Sequence, residues 1–377
     1  LTPFAITAPG RILFGRGEAQ KAPGLIRSFG LRGIVVHGSN ASRAAWLTEA
    51  LGPGTLAVAA KGEPTLADLL AALDLARDWS ADWVAAIGGG AALDLGKALA
   101  ALIPAPDDPL DHLELVGKGR PLVADPLPFI ALPTTAGTGA EVTRNAVIGV
   151  IEQGRKVSLR DERMVARVAI VDPALTDGCP RGVTLASGLD AVTQVIEPFV
   201  SVKATPYTDA LARPAIPMGL QAIRQLMTGE DPEARDRMAW VSLCGGLALS
   251  NAGLGAVHGF AGVIGGMTGA AHGAICGALL GPVLAANRAA ATGPARARID
   301  EVCALLAEAF GCGSDEAPQV LQAWARAEGL PGLEAMGVTA AIYPEIISAS
   351  LSASSMKGNP VTLSEDALTG VLESAAG

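Results

Sequence analysis

From Val241 to Asn287 the chain runs for 47 residues without a single Asp, Glu, Lys or Arg. A stretch of that kind has two physical destinations, a bilayer or a protein interior. About 20 apolar residues suffice to span a bilayer, so length alone permits the first. The content points to the second. Glycine and alanine fill the run, its Leu, Ile, Val and Phe blocks are short, and it carries Asn251, His258 and His272, polar groups that are costly in hydrocarbon. Small residues let helix backbones approach closely. The run therefore reads as tightly packed buried helices, and no membrane partner is expected.

The first half has a different rhythm, in which short β-branched runs alternate with helical stretches, the pattern of a parallel sheet covered by helices. Strands are expected at Gly33–His37, Thr55–Ala60, Asp82–Ile87, Phe129–Leu132, Val147–Ile151 and Val168–Val171, with helices at Ser42–Leu51, Leu66–Arg77 and Ala91–Leu102. Beyond about Thr184 strand signals nearly vanish. A chain of 377 residues exceeds what one core usually supports, so two domains are expected: a Rossmann-like α/β domain over residues 1–178 and an all-α domain over 179–377. Asp172-Pro173 and Cys179-Pro180 punctuate the boundary. The two are expected to pack rigidly with a cleft between them.

Charge and cysteine narrow the function classes. A net charge of −9 carries no basic stripe, and the two tyrosines and seven phenylalanines are not interleaved with Lys or Arg, which argues against nucleic acid. Only 17% of residues are charged, so surface hidden in a homodimer is expected. Five cysteines at 179, 244, 276, 303 and 312 form no closely spaced metal-type pairs. An odd count argues against a complete disulfide framework. Residues 1–30 lack the long apolar core of a signal peptide. These features fit a reducing cytoplasm.

Two turns carry candidate chemistry. The strand ending at Ile87 runs into Gly88, Gly89 and Gly90 and then into a helix, an order that lets helix N-terminal amides face a pyrophosphate. Asp94 and Lys97, one helical turn apart, extend the segment to GGGAALDLGK and on spacing alone read equally as a surface ion pair. The second turn, PTTAGTGAE, sets the hydroxyls of Thr134, Thr135 and Thr138 beside Gly137 and Gly139. Hydroxyls and free amides can jointly satisfy phosphate or carboxamide groups. Gly38, Ser39 and Asn40 follow the first strand without the acidic residue that would bind an unphosphorylated ribose. Lys156 or Arg43 is the candidate partner for a 2′-phosphate, and NAD is placed slightly ahead of NADP.

In the helical half, Asp190 and Gln194 share a helix face, and His258 and His272 lie in the uncharged run. An aspartate and two histidines can hold a divalent cation while leaving positions open for an alkoxide. Cys276, four after His272, reads as a small buried hydrophobe. Arg160, Arg163 and Glu197 read as solvated or salt-bridged groups.

Together these residues resemble one family. GGGAALDLGK is similar to the GGGSxxDxxK motif, and PTTAGTGAE to the PTTxGTGSE motif, of the iron-containing (group III) alcohol dehydrogenases. Further similarity runs through FAITAPGRILFGRGEAQ, VDPAL at Val171–Leu175, IEPFVS at Ile196–Ser201 and MKGNPVTLSEDAL near the C terminus. The resemblance implies the dehydroquinate synthase-like fold of that family and a nicotinamide cofactor on Gly88, Gly89, Gly90, Thr134, Thr135 and Thr138, with Asp94 near the nicotinamide. It also implies Fe2+ or Zn2+ on Asp190, position 194, His258 and His272, the last three being histidines in the family. Here Gln194 replaces one of them. Two serines of the motifs are Ala91 and Ala140, and Gly262 stands where many members carry another histidine.

The expected activity is reversible hydride transfer between NAD or NADP and a small alcohol or aldehyde in the interdomain cleft, with Asp190, His258 and His272 at the reacting oxygen. The alternatives are a metal-independent reductase of keto acids like the maleylacetate reductases, motivated by Gln194, and a nicotinamide-binding protein without turnover. A dehydroquinate synthase-like lyase would need several Lys or Arg residues in the helical half, and the 47-residue run has none.

Overall fold

The computed structural model describes residues 3–377; residues 1 and 2 of the expected first domain lie outside the described residues. The chain forms two compact units. One comprises Thr7–Thr135 and Gly139–Asp177, and the other Gly178–Gly377 with Ala136–Thr138 and residues 3–6.

The first unit is built on β1 (Arg11–Phe14), α1 (Ala22–Arg27), β2 (Gly33–His37), α2 (Ala45–Leu51), β3 (Thr55–Ala59), α3 (Leu66–Trp79), β4 (Trp83–Gly88), α4 (Gly90–Leu102), the short α5 (Pro109–His112), β5 (Phe129–Pro133), β6 (Asn145–Val150), β7 (Arg155–Arg160) and β8 (Val168–Val171). Six strands form a parallel sheet in the order β1-β8-β5-β4-β2-β3. Its central strands, GIVVH, WVAAIG and FIALP, are buried throughout. Apolar runs of that kind suit a sheet covered on both faces. A capping box between Thr65 and Asp68 starts α3, which buries Leu69, Ala72, Leu73 and Ala76.

The structure adds to the sequence reading and departs from it in places. The strand expected at Val147–Ile151 forms over Asn145–Val150 and pairs antiparallel with Arg155–Arg160 in a two-stranded ribbon apart from the main sheet. Its alternating burial marks a strand with only one covered face. The expected helix from Ser42 is a 3₁₀ turn at Ala41–Arg43, capped by Asn40, before α2 begins at Ala45. Arg11–Phe14, where no strand was expected, lies at one edge of the sheet beside β8.

The second unit holds α6 (Arg181–Val200), α7 (Pro206–Thr228), α8 (Pro232–Ala252), α9 (Ala256–Thr268), α10 (His272–Ala290), α11 (Gly293–Phe310), α12 (Ala317–Ala327), α13 (Tyr343–Ser352) and α14 (Glu365–Ala375). Leu189, Val192, Val195, Ile196 and Phe199 of α6 share a core with Ile216, Leu220 and Ile223 of α7 and Ile275 and Leu279 of α10. The uncharged run supplies the end of α8, all of α9 and most of α10. By length and composition α10 qualifies as a membrane span, yet 67% of its apolar window is buried inside the protein, as befits a core helix.

In the first unit Lys97 is a buried strut. It is 1% exposed, and its Nζ donates to Ala140 O at 2.7 Å, Thr143 Oγ1 at 2.7 Å and Asn145 O at 2.8 Å. Three acceptors use all three protons of an ammonium, and Asp94 Oδ1 stands 4.0 Å away, so the pair with Asp94 exists but is buried rather than at the surface. Glu141 is buried beside it. Burial pulls Lys97 down to about 8 and pushes Glu141 up to about 7, against the opposing pull of a backbone hydrogen bond and of Lys97.

Between about pH 4.5 and 7 the folded chain keeps the Glu141 proton that the unfolded chain releases, so this group's contribution to stability falls as pH rises through that window. Urea denaturation of the parent and of Glu141→Gln across that range should show the variant gaining on the parent by on the order of 2 kcal/mol. Parallel stability profiles would count against a titrating buried carboxyl.

Candidate functional site

The carboxyl ends of β2, β4 and β5 lie side by side, with His37 registered on Ile87 and Gly88 on Pro133. The chain leaves β2 toward β3 and returns on the other side at β4, so the strand order reverses between β2 and β4. Such a switch point opens the crevice where open α/β sheets bind ligands. Gly38, Gly88 to Gly90, and Thr134 and Thr135 all stand there.

The glycines are required by close approach. A Cβ on Gly88 would sit 2.5 Å from the Ala92 Cβ, and one on Gly89 would sit 3.3 Å from Thr135 Oγ1. The two turns therefore converge, and the Thr134 amide donates to Gly88 O at 2.9 Å. The Ala92 and Leu93 amides donate to Gly89 O at 3.0 and 3.1 Å, so the helix opens directly at the turn with its N-terminal end suited to an anion. Asp94 braces this turn by accepting from the Val147 amide at 3.1 Å. Thr138 groups with the helical unit, where a Cβ on its neighbour Gly137 would meet the Ser187 Cβ at 2.8 Å.

Other expected cofactor residues stand apart or are engaged. Asn40 Oδ1 accepts from Ser42, Lys156 is ion-paired with Glu63 on the β6–β7 ribbon, and Arg43 donates to Leu175 O. Ser39 is exposed beside the switch point.

The helical unit gathers the polar groups. Asp190, Gln194 and Glu197 occupy one buried face of α6, His258 lies in the first turn of α9, and His272 and Cys276 stand one turn apart on α10. Glycines bring these helices into contact. A Cβ on Gly273 would meet Ala186 O at 2.6 Å, and one on Gly277 would meet Leu189 Cδ1 at 2.8 Å. The α10 backbone is thereby seated on α6, carrying His272 and Cys276 toward Asp190.

Donor atoms of Asp190, His258, His272 and Cys276 all lie within 4.8 Å of one another. His258 Nε2 is 3.2 Å and His272 Nε2 4.0 Å from Asp190 Oδ1. Glu197 sets the first of these. Its Oε2 lies 2.7 Å from His258 Nδ1, and its Oε1 accepts from the Val257 amide at 2.7 Å, so one carboxylate caps α9 and fixes the imidazole. With Nδ1 donating to Glu197, Nε2 faces Asp190. Glu197 is 4% exposed, so its reading as a solvated boundary group is corrected. Nothing local in the sequence announced this, because its partner lies 61 residues away.

Fixed in this way, the cluster draws positive charge. Burial favours the neutral acid at Asp190, yet His258, His272 and Gln194 drive it down to about 2. Burial disfavours the imidazolium at His258, but Cys276, Asp190 and Glu197 hold it well above its ordinary value. Burial likewise opposes charge on His272, which Cys276 and Asp190 raise to about 9. Asp190 Oδ1 and Gln194 Oε1 are buried without a hydrogen-bond partner. Buried oxygens in that state are costly unless something electropositive meets them. Carboxylate, imidazole and sulfur donors gathered at Asp190 fit a divalent cation.

Comparison with known proteins agrees in kind. Residues 9–173 match the sequence model described as "Iron-containing alcohol dehydrogenase" and residues 184–376 that of the "Fe-containing alcohol dehydrogenase family, C-terminal". The chain is 33% identical over 302 residues to 4-hydroxybutyrate dehydrogenase of Cupriavidus necator, covering 79% of this chain and 78% of that protein. It is 42% identical over 201 residues to the probable alcohol dehydrogenase EutG of Salmonella typhimurium, where the match spans 53% of this chain but only 50% of the relative. The fold superposes on the sulfoacetaldehyde reductase from Bifidobacterium kashiwanohense in complex with NAD+ at a TM-score of 0.85, with 25% identity over 100% of this chain and 99% of that one.

If Glu197 holds His258 for a cation, Glu197→Ala should weaken cation affinity roughly 10–100-fold, the usual effect of losing a carboxylate behind a metal-binding histidine. Competition against a chromophoric chelator reads this directly. Unchanged affinity in a folded variant would refute the positioning role.

Proposed function

This chain belongs to the iron-containing alcohol dehydrogenase family, and on that premise we propose that it is an oxidoreductase moving hydride reversibly between a nicotinamide cofactor and a small alcohol or aldehyde. The observation that carries the proposal is the convergence of buried Asp190, buried His258 and half-buried His272, whose donor atoms lie within 4.8 Å of one another. A divalent cation held by these residues supplies Lewis acidity toward an alcohol or carbonyl oxygen. Gln194, whose family counterpart is a ligand, stands beside Asp190 and supports it through its side-chain amide.

On the sheet side, the amides opening α4 and the hydroxyls of Thr134 and Thr135 receive the dinucleotide, with Gly88 and Gly89 making room for its phosphates. Thr138 belongs to the same cofactor set, and Asp94 holds the helix that carries the turn. Gly38 and the exposed Ser39 flank the ribose position without an acidic residue, and NAD stays ahead of NADP because Lys156 is engaged by Glu63. The NAD+ complex of the sulfoacetaldehyde reductase supports a nicotinamide cofactor. Substrates are placed among small alcohols, aldehydes and keto acids. The five free cysteines suit a reducing cytoplasm, and the low charged fraction suits a homodimer.

The test is a screen of short aldehydes and keto acids against NADH and NADPH, with and without added Zn2+ or Fe2+. Nicotinamide oxidation is expected, abolished by chelation and lowered at least roughly a hundredfold in Asp190→Ala, the scale seen when a charge-stabilising group is lost. Full activity after exhaustive chelation would refute the metal-assisted reading. Gly88→Ala should weaken cofactor binding about tenfold or more, equivalent to ~1.4 kcal/mol, by calorimetry; unaltered affinity would move the dinucleotide away from this turn.

A further inference from the structure

The family pattern places a histidine where this chain has Gln194, so the cation cluster is one strong donor short on α6. A carboxamide oxygen is a weaker donor than an imidazole nitrogen, and Gln194 Oε1 meets no partner. Across the cluster, however, α10 brings in a donor that the pattern does not contain. Cys276 follows His272 by one helical turn and is fully buried. Its Sγ lies 3.6 Å from His272 Nε2 and 3.8 Å from His258 Nε2.

Those separations carry information. Bonds of about 2.3 Å to sulfur and about 2.0–2.1 Å to nitrogen or oxygen place a tetrahedral ion's nitrogen and sulfur donors roughly 3.5 Å apart, and its nitrogen and oxygen donors roughly 3.3 Å apart. Both sulfur–nitrogen distances fall near the first value. The 3.2 Å between Asp190 Oδ1 and His258 Nε2 falls near the second, while the 4.0 Å between Asp190 Oδ1 and His272 Nε2 is longer than it. A cysteine that only filled space would be surrounded by apolar atoms. This one faces the ring nitrogens of two imidazoles and lies within 4.8 Å of a buried carboxylate oxygen without a hydrogen bond.

We propose that Cys276 is a metal ligand in this chain, replacing the donor lost at Gln194, and that the resulting Asp190–His258–His272–Cys276 set selects zinc over iron. The proposal rests on the cation site of the preceding section and changes its composition. Thiolate is a soft ligand suited to zinc, which also stands above ferrous iron in intrinsic affinity for such donors. On binding, the thiol gives its proton to solvent and the sulfur lone pair to the metal. Gln194 is thereby released from ligation to support Asp190.

The test uses the full chain stripped of metal and reloaded with Co2+, a spectroscopic stand-in for zinc. A near-ultraviolet thiolate-to-cobalt charge-transfer band is expected, absent in Cys276→Ser, together with at least a tenfold weaker zinc affinity in that variant. Offered equimolar Zn2+ and Fe2+ anaerobically, the parent should retain zinc by elemental analysis. Introducing Gln194→His into Cys276→Ser should restore tight binding without the band. Stoichiometric cobalt binding by the parent with no thiolate band would overturn the ligand assignment and leave the family cation site standing, and this measurement holds even if Cys276→Ser fails to fold. Preferential iron retention would overturn the zinc preference. No binding of cobalt or zinc by the parent would remove the cation site itself, while activity with a reduced nicotinamide, measured in parallel, reports separately on the oxidoreductase reading.

Discussion

An aspartate sealed in a helical core, with its Oδ1 3.2 Å from one imidazole nitrogen and 4.0 Å from another, is the constraint that organises the second half of this chain. Burial alone would neutralise such a carboxyl, yet two imidazoles hold it ionised, and one of them is held by a second buried carboxylate. Two carboxylates and two imidazoles have no ordinary structural reason to share an apolar interior, where well-packed hydrophobic residues often stabilise as much. The arrangement makes sense as a receptor for positive charge.

What allows it is the absence of side chains elsewhere. Gly273 and Gly277 on α10 seat that helix against α6, and Gly255 lets the start of α9 approach Glu197, where a Cβ would come within 2.8 Å of Oε1. The glycine and alanine content of the uncharged run is thus the means of bringing donors from three helices together. In the first unit the same device recurs at Gly88 and Gly89, which draw the two loops of the switch point together, while buried Lys97 ties Ala140, Thr143 and Asn145 to α4. Each site uses close backbone approach for its shape and a buried charge for its rigidity.

How far this was legible in the sequence varied with the range of the interactions involved. The parallel sheet and the β4–glycine–α4 turn were readable because apolar runs and turn residues act locally. Arg11–Phe14 was not, since its partner β8 lies more than 150 residues away and two of its four residues are exposed. The charged segment RKVSLR hid β7, whose pairing with β6 supplies the order that its composition does not. Asp190, His258 and His272 were singled out by residue type and by resemblance, and the fold brings them together. Cys276 is buried in the helical core as expected, and Glu197 is ion-paired but buried rather than at a surface or boundary; what each one faces is set by residues far away in sequence and shows only in the folded chain.

The exchange between positions 194 and 276 follows from the way an ion chooses its ligands. A cation responds to where donor atoms end up and is indifferent to the helix that carries them, so a donor lost from α6 can be supplied by any neighbour whose Cβ points at the same place. Position 276 qualifies because one turn of helix superimposes it on His272, and because Gly273 and Gly277 pack that part of α10 against Ala186 and Leu189 of α6. The change of element from nitrogen to sulfur then alters which metal the cluster prefers without moving a backbone atom. Gly262 illustrates the complementary case. A Cβ there would meet nothing within 4 Å, so that position of α9 opens onto free space and the backbone there is set by no close packing.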